Sequence, residues 1–157
     1  PLQPDSSYPI SKAAASIAFE GFAREHNVAL KLLRIFQVYG EGESEMRIWP
    51  SLRRAAARGE DFPMSNGEQI RDFVPVQEVA RQIIAHMDFS ETEEGCPTVF
   101  HVASGEYQSL LSFAKEWWSH WGAASKIIPG AIPYRQNEIM KIIPEGSRPK
   151  ASRAIEG

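Results

Sequence analysis

The run Val-Ala-Leu-Lys-Leu-Leu-Arg-Ile-Phe at 28–36 constrains the fold more than any other stretch. It is nearly continuous in apolar residues and of strand length, the pattern of a buried, parallel-type strand. It gives way to Gln37-Val38-Tyr39-Gly40-Glu41-Gly42-Glu43, where two glycines mark a loop at the strand's C-terminal end. In open α/β sheets, ligands sit off that end.

Helical and extended patterns alternate around this strand. The spacing predicts a helix over 7–26, with Tyr8, Lys12, Ala15, Phe19 and Ala23 on one side and Ile10, Ala14, Ile17 and Gly21 on another. Both sides are small or apolar, so the helix is expected to be covered on two faces. One face would lie on a sheet, the other on a partner subunit or on a neighbouring helix of the same chain. A second helix is predicted over 46–58 with Gly59 as its stop. Its Arg47, Arg53, Arg54 and Arg58 read as a solvated face. Residues 61–69, with Pro63, Asn66 and Gly67, read as a turn between short extended pieces, and 70–74 as a short strand. Val76, Val79, Ala80, Ile83, Ile84 and Met87 then have helical spacing. An acidic loop over 89–97 precedes a buried-type strand at 98–102. A helix over 109–121 carries Phe113, Trp117 and Trp121 on one stripe, expected to be core. Beyond Gly122 the prolines at 129, 133, 144 and 149 leave room only for a short strand at 126–128. Strands alternating with helices make the chain α/β.

The length of 157 residues is that of one domain, and a net charge of -3 gives no electrostatic reason to expect nucleic acid. Four scattered histidines and a single Cys96 offer no disulfide framework and no metal-ligand spacing, so no metal is expected. No apolar run is long enough to span a bilayer, and no dense run of Lys and Arg suggests a membrane surface. The lone thiol fits a reducing cytoplasm.

Chemistry concentrates near the start, at Ser7-Tyr8-Pro9-Ile10-Ser11-Lys12. Asp5, Ser6 and Ser7 can each supply a capping oxygen, and Pro9 is tolerated because a first-turn residue has no intrahelical N–H bond to lose. Tyr8 and Lys12 then share a helix face. A free phenol, with a pKa of about 10, is a poor base at neutral pH. A nearby ammonium favours the phenolate, and a Tyr tuned in this way can take a proton from an alcohol while a hydride leaves the carbon. The same spacing also describes a surface Tyr beside a solvated Lys.

Four segments, in order, carry a family resemblance: Tyr8-Pro9-Ile10-Ser11-Lys12, Leu33-Arg34-Ile35-Phe36-Gln37-Val38-Tyr39-Gly40, Gly67-Glu68-Gln69-Ile70-Arg71-Asp72-Phe73-Val74-Pro75-Val76, and Phe100-His101-Val102-Ala103-Ser104-Gly105. Together they resemble the C-terminal half of an extended short-chain dehydrogenase/reductase, of the NAD(P)-dependent nucleotide-sugar epimerase/dehydratase group. The resemblance implies the C-terminal part of a Rossmann-like doubly wound parallel sheet plus a small substrate-binding α/β lid domain. Residues 1–40 would end the dinucleotide-binding domain. Residues 41–157 would be mostly substrate-binding, with strand 98–102 returning to the Rossmann sheet.

The resemblance also implies roles. Tyr8 would be the acid/base, and Lys12 would lower its pKa and hydrogen-bond the nicotinamide ribose of NAD or NADP. Phe36 would pass the nicotinamide. Gln37, Arg71 and Arg135 would contact the substrate, a nucleotide sugar, with the Arg71 guanidinium suited to a diphosphate. Read without the family, Arg71 is a strand-end charge pairing with Asp72, and Arg135 fits a plain surface loop equally well. A homodimer through the first helix is implied for the full-length protein.

Departures from the family pattern are Pro9 for Gly, Gln37 for Asn, Glu41 for Pro, Glu78 for Asp and His101 for Asn. Glu41 would set an anion near an anionic substrate. His101, alone in a strand, reads as a satisfied core residue. The family's Gly-rich dinucleotide fingerprint does not occur in the sequence, and its catalytic Ser or Thr would fall before Pro1. The chain is therefore expected to be a fragment, inactive alone, of an active parent enzyme. Two other readings stay open: a reductase of a small carbonyl compound, slightly favoured by Glu41 and Gln37, and a non-catalytic dinucleotide-sensing or assembly protein. Substitution of Arg71 separates the first from a nucleotide-sugar enzyme. Hydride exchange separates the second.

Overall fold

The computed structural model describes residues 7–151. The capping candidates Asp5 and Ser6 lie outside the described residues. In chain order the elements are α1 (Ser7–His26), β1 (Lys31–Ile35), β2 (Gln37–Tyr39), α2 (Ile48–Arg58), β3 (Phe62–Met64), β4 (Ile70–Arg71), β5 (Phe73–Pro75), α3 (Val76–Ala85), β6 (Thr98–Val102), β7 (Glu106–Ser109), α4 (Leu110–His120), β8 (Ile127–Pro129), β9 (Lys141–Ile142) and β10 (Arg148–Pro149). They form two compact units. One takes the described residues up to Arg34 with Ala80–Val102, and the other takes Ile35–Val79 with those from Ala103 onward.

In the first unit, α1 ends on Asn27, whose φ of 53° is left-handed, and the Val28 N–H reaches back to the Ala23 carbonyl at 3.0 Å. This is a Schellman-type stop, with Asn in place of the usual glycine. Asn27 also donates to Glu94 at 3.0 Å, tying the helix end to the acidic loop. Strands β1 and β6 lie side by side, the Thr98 N–H donating to the Leu30 carbonyl at 3.0 Å. His101 is exposed on β6, while its neighbour Val102 is fully buried. The expectation of a core histidine is corrected by the two-residue alternation of the strand. The apolar sides of α1 are largely uncovered within this chain. Ala23 is its buried residue, whereas Ile10, Ile17, Phe19 and Phe22 are each at least half exposed. No neighbouring helix among the described residues covers them.

The second unit holds the core. Leu52, Ala55, Met64, Ala114 and Trp118 pack as one cluster, and Trp49, Phe73 and Phe113 as another. The predicted stripe behaves as expected. Phe113 is buried, and Trp117 and Trp121 pack against both clusters. Trp118, off that stripe, is buried too, its indole N–H donating to the Ser125 carbonyl at 2.9 Å. Helix α2 starts two residues later than the spacing predicted, carries Pro50 in its first turn, and stops at left-handed Gly59 with φ 66°. Helix α4 is capped by Ser109, whose hydroxyl accepts the Ser112 N–H at 3.0 Å.

Three sheets shape this unit. Strand β2 pairs parallel with β5, and β3 parallel with β8. The third runs β10-β7-β4-β9, with β4 antiparallel to β7 and parallel to β9. The stretch predicted as one strand over 70–74 is broken at Asp72 into β4 and β5, which serve different sheets. Strands β9 and β10 carried no sequence signal, being two residues long and exposed.

Gly67 fixes the β3–β4 turn. Its φ is 71°, and a Cβ there would lie 2.7 Å from Leu111 Cβ and 2.8 Å from the Leu111 nitrogen. Gly67→Ala combines a left-handed penalty with a clash against backbone. It is expected to cost about 2–4 kcal/mol, read as a lower denaturation midpoint at unchanged m-value.

Candidate functional site

A cleft of about 410 Å³ opens in the second unit. Gln37, Arg71 and Arg135, the three residues expected to meet substrate, all line it. Gln37 is placed by the parallel pairing of β2 with β5, in register with Phe73, and its N–H donates to the Asp72 carbonyl at 3.2 Å. Arg71 comes from β4, backed by Gln108 of β7. Arg135 comes from the exposed loop after β8. Phe73, Met64, Leu110 and Ile132 give the cleft an apolar wall.

Arg71 is the most constrained polar group in the cleft, with a side chain 12% exposed. One terminal nitrogen donates to the Ile70 carbonyl at 2.9 Å, the other to Glu138 at 3.1 Å and to the Ile139 carbonyl at 2.6 Å. Burial pulls its pKa below the ordinary arginine value, and the Glu138 carboxylate acts the other way. An arginine so placed stays charged at neutral pH. The Arg71–Asp72 pairing expected from local sequence does not form. Successive extended residues face opposite sides, and the Asp72 carboxylate instead accepts the backbone N–H groups of Ser104 at 2.7 Å and Gly105 at 2.9 Å.

Arg47 also lines the cleft, and the sequence reading missed it. It is as exposed as the arginines of α2, as expected of a solvated face, and it sits at the N-cap, outside the helical stripe. That position was the available signal. Arg47 pairs with Glu43 at 3.1 Å, Arg54 with Glu45 at 2.7 Å, and Arg53 with Glu41. Glu41 is thus directed onto Arg53 and is not among the cleft's lining residues. The lining groups that carry charge are Arg47, Arg71, Arg135 and Glu138, three cations against one anion.

The loop bearing Arg135 is held at several points. The Ile132 N–H donates to the Met64 carbonyl at 3.3 Å, and the Tyr134 hydroxyl donates to Glu68 at 3.0 Å. Partial burial, first of all, pushes the Tyr134 phenol above its usual pKa.

Tyr8 and Lys12 belong to the first unit, on the first two turns of α1. Tyr8 is exposed, and the Lys12 ammonium stands 5.5 Å from its ring centroid. Ser11 donates to the Tyr8 carbonyl at 2.8 Å and Ser16 to the Lys12 carbonyl at 3.0 Å, local bonds that brace this turn. Phe36 lies between β1 and β2, half-buried, in the same unit as Gln37. Among the described residues no group of three or more His, Cys, Asp or Glu could hold a metal ion, and no helix is long and apolar enough to cross a membrane.

Known proteins match this chain over most of its length. It is 28% identical over 135 residues to the dTDP-L-rhamnose 4-epimerase of Burkholderia thailandensis, covering 83% of this chain and 36% of that protein. It is 29% identical over 135 residues to the CDP-abequose synthase of Salmonella typhimurium, covering 83% of this chain and 44% of that one. Among solved structures it resembles the UDP-glucose 4-epimerase of Thermotoga maritima, determined with UDP-glucose, with a TM-score of 0.76 and 26% identity over 90% of this chain and 45% of that one. The chain thus spans less than half the length of these relatives. The fold is the expected α/β arrangement with parallel strands, and it matches Rossmann-like epimerase/dehydratase structures. The model of the NAD dependent epimerase/dehydratase family matches residues 1–103, and the chain belongs to that family.

Proposed function

We propose that this chain is the C-terminal portion of an NAD(P)-dependent epimerase/dehydratase acting on a nucleotide sugar, and that the cleft holds the substrate's diphosphate. The observation that carries the reading is the set of cations at that cleft: Arg47, Arg71 and Arg135 line it with Glu138, beside an apolar wall, Arg47 being paired with Glu43. Guanidinium groups bind phosphates in bidentate fashion, and an apolar wall suits the flat face of a base. The nucleotide sugars in the relatives' names, linked to dTDP, CDP and UDP, agree with this assignment. Direction of Glu41 onto Arg53 weakens one of the two grounds for a small carbonyl substrate, the other being Gln37.

In this reading Gln37, Arg71 and Arg135 orient the diphosphate, with Arg47 as a fourth contact. Tyr8 takes the proton from the reacting hydroxyl and returns it in the reverse step, and Lys12 holds the Tyr8 phenolate by charge. NAD or NADP would supply the hydride acceptor and donor. Tyr8 and Lys12 of the first unit would hold its nicotinamide ribose, and the family resemblance alone assigns Phe36 to the nicotinamide. Tyr8 and Lys12 are presented together on one exposed helix face, where a ribose hydroxyl can reach both. The 157 residues alone are expected to be inactive. Residues 1–40 and strand β6 would belong to the dinucleotide-binding domain and 41–157 otherwise mostly to the substrate domain, in a cytoplasmic enzyme that dimerises through α1.

Calorimetric titration of the full-length protein with UDP, dTDP and CDP tests the cleft assignment. At least one is expected to bind in the micromolar range, and its nucleoside at least about tenfold more weakly, since a charge-assisted phosphate contact contributes on the order of 1.5–3 kcal/mol. Equal affinity for nucleoside and diphosphate, or no binding of any, would refute the assignment.

A further inference from the structure

We infer that Asp72 is a positioning residue for the cleft: it locks Arg71 and Gln37 in place relative to each other. The inference rests on the reading of the cleft as a diphosphate site. Asp72 is fully buried and stands at the break between β4 and β5, where one extended stretch leaves one sheet for another. Its two halves do different work. The carboxylate accepts the Ser104 N–H on one oxygen at 2.7 Å and the Gly105 N–H on the other at 2.9 Å. Those residues lead into β7, which pairs with β4 so that Gln108 stands opposite Arg71. The backbone carbonyl of Asp72 accepts the Gln37 N–H at 3.2 Å. Through one residue, the strand behind Arg71 and the strand bearing Gln37 are tied to the same point.

The chemistry suits a fixed clamp. Two backbone N–H groups on one buried carboxylate are charge-assisted bonds, shorter and stronger than neutral ones. A carboxylate accepts at both oxygens, whereas a carboxamide must turn its NH₂ towards one of the two donors. Asp72→Asn therefore keeps shape and volume but breaks one arm. Arg71 then loses the fixed backing of β7 while its own contacts to Glu138 and Ile139 remain. Gly105→Ala loosens the clamp from the other side. Gly105 has φ 79° and open space around a Cβ, so alanine there meets backbone strain without a clash.

The test is a double-mutant cycle on the full-length protein, with affinities for UDP, dTDP and CDP measured by calorimetry beside those for the three nucleosides. Asp72→Asn is expected to weaken the diphosphates about tenfold and to leave the nucleosides within about twofold, because a displaced Arg71 touches phosphate only. On an Arg71→Ala background the same change is expected to add less than about twofold, since the two substitutions remove one interaction. Gly105→Ala should show the same coupling to Arg71, and it carries the test if Asp72→Asn does not fold. An equal loss for nucleosides and diphosphates, an undiminished loss on the Arg71→Ala background, or no loss would overturn the inference while the diphosphate reading stands. A wild-type protein that binds none of the three diphosphates would overturn both.

Discussion

Tyr8→Phe in the full-length enzyme is expected to lower kcat by about 10²–10⁴-fold while the substrate KM stays within about twofold. The substitution removes one hydroxyl from an exposed ring on the first turn of α1 and leaves the helix unaltered. An exposed phenol contributes little to folding, so thermal stability should not change, and the loss falls on the chemical step alone. Removing a group that acts only in the transition state lowers kcat and kcat/KM together, whereas loss of a binding contact raises KM. The readout is nicotinamide absorbance in single turnovers with a nucleotide sugar. A variant that transfers hydride at the wild-type rate would remove Tyr8 from the mechanism. A wild-type protein that binds NAD(P) and never changes its redox state would favour the dinucleotide-sensing reading instead. Lys12→Met should reproduce part of the loss in kcat, because it removes the cation beside the Tyr8 ring.

Arg71→Ala should act on the other parameter. Its side chain is 12% exposed, its guanidinium is held by two carbonyls and Glu138, and the residue lines the cleft. Loss of one or two charge-assisted phosphate contacts is expected to raise KM for nucleotide sugars about 10- to 100-fold with little change in kcat. Arg71→Lys should not restore it, because an ammonium keeps the charge but not the planar fork. Truncation also leaves Glu138 without its cation and the Ile70 and Ile139 carbonyls without their donor, so the unfolding midpoint should fall as well. Glu138→Gln separates the two effects. It relaxes the ion pair but keeps Arg71, and KM should remain within about threefold of wild type, since the guanidinium still reaches the phosphate. A KM for Arg71→Ala equal to that of wild type would exclude Arg71 from the diphosphate site.

Much of the fold was legible because it is written in local periods. The helix at 7–26, the Gly59 stop, the strand at 98–102 and the aromatic stripe of α4 follow from side-chain spacing and capping chemistry. The cleft was legible only in part. Gln37, Arg71 and Arg135 lie far apart in the chain, and a family pattern, not periodicity, marked them. Arg47 was hidden because it is as exposed as the arginines of the adjacent helix α2. The partner of Arg71 could not be read from its neighbours, since Glu138 is 67 residues away while Asp72 is adjacent.

The sequence by itself determined the α/β class, the places of helices α1 to α4 and the Tyr8–Lys12 spacing, because each depends on contacts within a few residues. Only the tertiary structure decided which charges meet. It broke 70–74 into two strands at Asp72, turned that carboxylate onto Ser104 and Gly105, and left Arg71 for Glu138. The reason is directional. Extended residues alternate sides, so adjacent charges point apart, and the partner of each is chosen by whichever strand the sheet brings alongside.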